Sequence, residues 1–538
     1  MALTVPRDHE ILPAGQDQDQ NDGNIMTNMA ARTYLDDDTA ALQVHHFELS
    51  SSESLNFLYN LLYDDQSCLS KSDILRILNS IKTRENDLPF SISNSTLTNK
   101  RTDLQGIYWP RDLRKRFFMD RSRIGKDNWF HNIPDSRYLA TNKLSIKSFN
   151  INTEFFKFHR FFSKLKLHLT HLQLRNLVCC GTNVANGIYY PSSYYHDYNL
   201  ETVPHDISFR DDDCYHTFFK INRLMPDNSI DKDRLPSQSM KVDCLIDSRQ
   251  LQKNSNSRIS TLAATNSLLV TGIFEGGYIL SDISDANNVK LLGEYHLTSN
   301  EDGITNHVLI NEIDNELIIS SNDRQLRIVD LNTNRLTEDI SFTFPVNCSV
   351  INPFNSNEVF ISGDSKCSFI VDKRHNSIQQ YQRFIGHEDF GFCCDWSNSN
   401  ENLLLTGNQD TTVKLWDRRK SDEFLYSWSG SLGSDTSTGC GPVRNCRFSY
   451  NGEFIAWAES LDHVGILRMD DLSKINNKTL SRVQSIDFIG KCTALNFAPM
   501  EYGYGEQLII GVNDCPLGGI LSYKLESREK PLDFDFYF

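Results

Sequence analysis

Within one stretch the chain sets an imidazole, a hydroxyl, a carboxylate and an indole at fixed intervals: His387, Thr406, Asp410 and Trp416. A histidine that can reach both a carboxylate and a hydroxyl is what acid–base or nucleophilic catalysis would use. The same four groups can also make a closed relay, with the carboxylate accepting from the imidazole and the hydroxyl joining the imidazole to the indole. Context favours the relay. Thr406 and Trp416 end short apolar runs, Leu403-Leu404-Leu405-Thr406 and Val413-Lys414-Leu415-Trp416, and a third run is Phe392-Cys393-Cys394-Asp395-Trp396. A polar group carried into apolar strands is expected to spend its bonds on its neighbours. The ring of His387 is therefore read as structural. The sequence also contains no phosphate-binding Gly-rich loop, no dinucleotide fingerprint, no H-E-x-x-H and no G-x-S-x-G elbow. A non-enzymatic protein with no catalytic residue, no metal and no cofactor is expected.

The positioning elements form a rhythm. From about residue 151 to 530, units of two to four short apolar strands recur, each closing near an Asp or Gly turn. Unit starts fall near His171, Ile259, Ile304, Val346, Asp389, Val443 and Cys492. Leu317-Ile318-Ile319-Ser320-Ser321-Asn322-Asp323 followed by Leu326-Arg327-Ile328-Val329-Asp330 is the second clearest unit, with Asp323 standing where Asp410 does. The polar stretch at about 201–256, with its Asp211-Asp212-Asp213 run, reads as an insertion between the first two units. Residues 154–171 alternate Phe with Lys and Arg and read as an outer strand of the first unit.

Ahead of the repeats the composition changes three times. Residues 1–45 are polar and acidic with few large apolar side chains, the signature of a disordered tail. Residues 46–99 carry Leu and Ile at helical spacing (Leu55, Leu58, Leu62; Ile74, Leu75, Leu78, Ile81), which predicts a small helical hairpin and a linker. Residues 100–150 are Arg-rich with interleaved aromatics and are read as a basic segment packed on the repeat domain. Residues 531–538 remain as a C-terminal tail. The formal charge of −16 argues against general nucleic-acid affinity. No apolar run approaches the length of a membrane span, and the 13 cysteines include no C-x-x-C pair. A cytoplasmic or nuclear protein that neither enters membranes nor carries a metal is expected.

Gly386-His387, the two apolar strands, the Asp410 turn and Trp416-Asp417 resemble a WD40 repeat. That resemblance implies an all-β propeller, here of seven blades, in which His387, Thr406, Asp410 and Trp416 lock one blade. Other segments are similar to a fungal and plant WD-repeat family. These are Asp103-Leu104-Gln105-Gly106-Ile107-Tyr108-Trp109 before the repeats, and Gly441-Pro442-Val443-Arg444-Asn445-Cys446-Arg447-Phe448-Ser449 with Ala456-Trp457-Ala458-Glu459, which resembles a short fungal domain of unknown function. Similar fungal proteins include a substrate receptor of the GID ubiquitin ligase.

WD40 proteins mostly bind other proteins, so the resemblance implies an interaction module. The expected role is a ubiquitin-ligase substrate receptor or adaptor, against the alternative of a non-degradative scaffold in transcription, signalling or complex assembly. Trp416-Asp417-Arg418-Arg419 resembles the WD-x-R box with which receptors dock on a propeller-built ligase adaptor, which would place Arg419 on an exposed rim. Asp323, Asp364, Glu388, Asp389, Glu459, Asp462 and Asp514 predict an acidic mouth on the other face, fitted to a basic peptide or a free N-terminal amine. Glu388, Asp389 and Asn408 are the residues expected to contribute to it.

Overall fold

The computed structural model describes residues 90–93, 97, 102–107, 118, 132–133, 145–146 and 149–150. From 153 to 525 it describes all but 168–175, 182–186, 196–216, 227–239, 254–256, 375–380, 430–440, 473–480, 500–504 and a few isolated positions. The tail expected over 1–45 and the helices expected before residue 90 lie outside the described residues, and so does the C-terminal tail.

Among the described residues, the strands assemble into seven sheets, each led by an inner strand and hydrogen-bonded antiparallel through its blade. The inner strands are Cys179–Cys180, Ile259–Ala264, Thr305–Asn311, Val346–Asn352, Gly391–Trp396, Val443–Phe448 and Lys491–Pro499. The second and third strands show both faces to neighbouring blades and read as nearly continuous apolar runs, whereas outer strands such as Arg335–Ser341 are exposed. The adjacent cysteines of the fifth inner strand face both ways too. Cys393 packs with the sixth blade against Val443 and Trp457, whereas Cys394 packs with the fourth against Phe360 and Phe384. Seven such clusters fill the seven gaps between consecutive blades, the last joining Phe162, Ile509 and Ile520 to Val178, Ile188 and Leu224 of the first. The ring is closed, a seven-bladed β-propeller.

A second device stitches the blades. In the third and fourth inner strands the pairing register slips at Asn306 and Asn347, which are left unpaired as bulges. Each turns its amide to the next blade: Asn306 Nδ2 donates to Val346 O at 3.0 Å, and Asn347 Nδ2 donates to Gly391 O at 2.9 Å. Ser260 makes the equivalent bond from the second blade to Thr305 O.

Two sequence expectations are corrected here. The strand Lys157–Phe162 does not belong to the first blade; it pairs antiparallel with Gly519–Leu525 and completes the last one. N-terminal and C-terminal strands thus share a blade, which closes the ring by hydrogen bonding. The stretch 201–256 is not an inter-blade insertion either. It contributes Thr217–Pro226 and Met240–Asp247, the two outer strands of the first blade, whose Phe219, Ile221 and Leu224 are buried.

The segment before the propeller extends three blades. Ser91–Ser93 adds to the last, while Ser145–Ile146 and Phe149–Asn150 pair in parallel with the outer strands of the fifth and sixth.

Candidate interaction sites on the propeller

The fifth blade carries the relay. Its second strand is Leu403–Asn408, its third Thr412–Asp417, and His387 stands in the loop leading to the inner strand. Trp416 Nε1 donates to Thr406 Oγ1 at 2.8 Å, Thr406 Oγ1 lies 2.7 Å from His387 Nε2, and His387 Nδ1 lies 2.8 Å from Asp410 Oδ2. The indole can only donate, so Thr406 accepts from it and passes its own proton to Nε2. That leaves Nδ1–H to donate to Asp410. Every proton has one place, and the imidazole is neutral. Burial pulls the His387 pKa below its ordinary value, outweighing the nearby Asp410 carboxylate. At Asp410 burial works upward, but His387, Lys414 and Thr412 together hold the carboxyl well below the usual range. Asp410 also accepts from the Glu388 and Thr412 amides at 2.9 Å each, and from Thr412 Oγ1 at 2.6 Å.

The structure brings these four together and separates the expected partner-binding residues. Asp389 is fully buried: its Oδ2 accepts from the Asn132 amide at 2.8 Å and its Oδ1 from the Phe390 amide at 2.8 Å. Asn408 is buried as well, donating to Asp389 O and accepting from the Asp410 amide, both at 2.8 Å. Both side chains are buried and spent on the fold, so the expectation that they line an open binding mouth is corrected: they brace the loop and strand end around the relay. Glu388 remains half-buried, and burial followed by the Asp410 charge raises its carboxyl.

Most of the other mouth carboxylates are bonded within the fold like Asp389, while Asp364 and Asp514 stay half-buried like Glu388. Asp323 is clamped by Arg327 at 2.6 and 3.0 Å, a third-strand cation doing what His387 does in the fifth blade. Asp364 accepts from Asn347 Nδ2, and Asp462 accepts from the Gly490 amide while holding a positive φ of 60°. Glu459 is buried with Oε2 on the Gly441 amide at 3.3 Å and, among the described residues, no partner for Oε1; burial pushes its carboxyl up to about 7. The acidic mouth of the sequence is thus largely a set of internal acceptors.

Arg419 behaves otherwise. Third strands run from the mouth to the opposite face, so the turn after Asp417 lies on the far rim. There Asp417 accepts from Arg419 Nε at 2.9 Å and Nη2 at 2.6 Å, and the side chain stays 71% exposed.

Sequence reasoning missed Gln105. The Asp103 carboxylate accepts from the Gln105 and Ile107 amides at 3.0 and 2.9 Å, folding the element into a turn with Gly106 at φ 82°. Gln105 then donates to Ile489 O at 2.9 Å and Leu517 O at 2.8 Å, and accepts from the Ile489 amide at 2.6 Å. Residues 102–107 of the basic segment are pinned to the last blade by an amide, a role that only its burial between turns could reveal.

Residues 378–417 match the family described as WD domain, G-beta repeat, so the chain contains a WD40 repeat. A stretch of 83 residues is 33% identical to the WD-40 repeat-containing protein MSI4 of Arabidopsis thaliana, covering 15% of each chain. Another of 117 residues is 29% identical to a ribosome biogenesis protein WDR12 homolog of Culex quinquefasciatus, covering 22% of this chain and 28% of that one. These matches span well under a third of the relatives' own lengths. A chain in a solved mitotic checkpoint complex aligns at TM-score 0.47 and 12% identity, over 72% of this chain and all of that one.

Proposed function

We propose that this chain is a substrate receptor or adaptor of a ubiquitin ligase, docking through the rim that carries Arg419 and taking a peptide or N-terminal end at the opposite mouth. A WD40 propeller is a protein-interaction platform, and this one has two faces of different character. The observation that carries the docking half is the Arg419 guanidinium, held outward by a bidentate clasp to Asp417 instead of being drawn into the blade. A fixed planar fork is suited to a partner carboxylate or carbonyl, and pre-setting it lowers the entropy lost on binding. The mouth half rests on Glu388, whose half-buried carboxylate sits beside the Asp410 turn.

The test is affinity purification of the tagged full chain from its own cells, beside Arg419→Ala and Glu388→Lys. Ligase subunits that disappear with Arg419→Ala, and client proteins that disappear with Glu388→Lys, would support the reading. Reproducible partners without any ligase component would replace it with a non-degradative scaffold.

A further inference from the structure

The far rim carries a unit that occurs twice, one blade apart. In the third blade the turn after the inner strand exposes Ile313, 75% accessible, at its tip; in the fourth, Phe354 stands at the same place, 52% accessible. Both tips are fixed in the same way. Asn311 Oδ1 accepts from the Ile313 amide at 3.2 Å, and Asn352 Oδ1 accepts from the Phe354 amide at 2.9 Å. The two asparagines then donate to second-strand carboxylates, Asn311 to Glu316 at 3.4 Å and Asn352 to Glu358 at 2.7 Å. The next blade supplies a cation to each: Lys373 pairs with Glu316 and with Asp314, and Arg418 pairs with Glu358 at 2.9 Å.

The residue after each cation is an outward arginine. Arg374 is clasped by Asp372 through its amide, Nε and Nη2 at 3.0, 2.9 and 2.6 Å. Arg419 is clasped by Asp417 through the same three groups at 3.0, 2.9 and 2.6 Å. Apolar tip, neutralised ion pair and exposed arginine therefore recur with the period of the propeller.

We infer that the Ile313–Arg374 and Phe354–Arg419 units form one docking surface for a folded protein partner that presents oxygen acceptors around an apolar recess. This rests on the docking half of the function proposed above and extends it to a second blade. Three features argue for such a partner. Glu316, Glu358, Asp372 and Asp417 are already paired within the fold, while the Arg374 and Arg419 side chains stay 61% and 71% exposed, in a chain of charge −16. Each clasp takes the Nε and Nη2 edge, and the Nη1 side is the edge a partner oxygen can approach. Exposed aromatic and aliphatic side chains flanked by arginine, with Lys and Glu neutralised, are what the buried centres of protein interfaces contain.

The test places a photo-crosslinking phenylalanine analogue at position 313 or 354 of the full chain in its own cells, with position 292 on an outer strand as control. One and the same protein should cross-link from 313 and 354 and not from 292. Its yield should fall at least tenfold in Arg374→Ala/Arg419→Ala and in Arg374→Lys/Arg419→Lys, both melting with the parent. The identified protein, purified, should bind the parent chain and lose at least tenfold in affinity for either variant. No cross-link, different proteins at the two positions, a cross-linked second copy of this chain, or yields indifferent to the arginine variants would each overturn the surface. If ligase subunits co-purify undiminished with the double variants, the chain remains a ligase component, but docking through Arg419 and this surface both fall. If the cross-linked partner has no ligase connection, the surface stands and the ligase reading falls.

Discussion

Replacing Thr406 by valine tests the relay with little change of shape. The substitution exchanges a hydroxyl for a methyl and keeps the branched outline that suits a strand. It removes the acceptor of Trp416 Nε1 and the donor to His387 Nε2, bonds of 2.8 and 2.7 Å at a position 1% exposed. Each buried group left without a partner costs about 1–3 kcal/mol, and the added apolar methyl returns about 1 kcal/mol. The net loss should be about 1–5 kcal/mol, centred near 3, a fall of about 4 °C in Tm for a domain of several hundred residues. Thr406→Ser keeps the hydroxyl and loses one buried methyl, about 1 kcal/mol and 1–2 °C. Strand propensity ranks the two variants the other way, because valine favours strands more than serine does. Thermal and urea unfolding at pH 7.5, followed by circular dichroism, separate the possibilities. A valine variant melting at or above the serine variant would show that the relay contributes nothing to the blade.

Three more outcomes follow from the same bookkeeping. Gln105→Met keeps the volume but strands the Ile489 amide and the carbonyls of Ile489 and Leu517; it should cost about 2–5 kcal/mol, read as a lower Tm, and loosen residues 102–107 in hydrogen exchange. His307, buried on the third inner strand, is pushed down to about 3 from 6.5, first by burial and then by the Arg447 charge. The unfolded chain takes up that proton first, so stability is present above pH 6.5 and lost towards pH 3, about 2 kcal/mol by pH 5; His307→Gln should show a correspondingly shallower loss of Tm between pH 8 and 5, and an unchanged slope would refute the assignment. Glu459 has the opposite sign. Its folded carboxyl titrates at about 7 against 4.5, so the folded state holds the proton longer and stability falls as pH rises through that window, by about 3 kcal/mol at pH 8. Glu459→Gln should therefore melt higher than the parent at pH 8 and alike at pH 5, and a gain independent of pH would mean that its charge is not what matters.

What could be read from the sequence was what is local. The starts at Ile259, Val346 and Val443 are legible because an apolar run follows a turn, and the structure begins inner strands at those residues. The fifth blade is legible because its four polar groups are fixed by bonds within one blade. By contrast, the first blade's inner strand is only Cys179–Cys180, too short to carry a period, and its outer strands are set among polar residues that resemble an insertion. The pairing of Lys157–Phe162 with Gly519–Leu525 joins distant parts of the chain, and neither stretch marks the other.

The mouth shows why a carboxylate's type does not reveal its task. Glu388 and Asp389 are neighbours in sequence, yet Glu388 is half-buried at the surface while Asp389 is sealed beneath the backbone of Asn132. A blade turn needs acceptors for its own amides, and Asp462 and Asp410 meet that need before any partner arrives. Counting acids near a propeller mouth therefore overstates its charge. The arginines of the far rim escape this ambiguity, since a guanidinium already satisfied on one edge and still largely exposed keeps donors for something outside the fold. That asymmetry, acceptors largely spent inward on one face and donors turned outward on the other, is why the contact surface is proposed on the rim of the fourth and fifth blades.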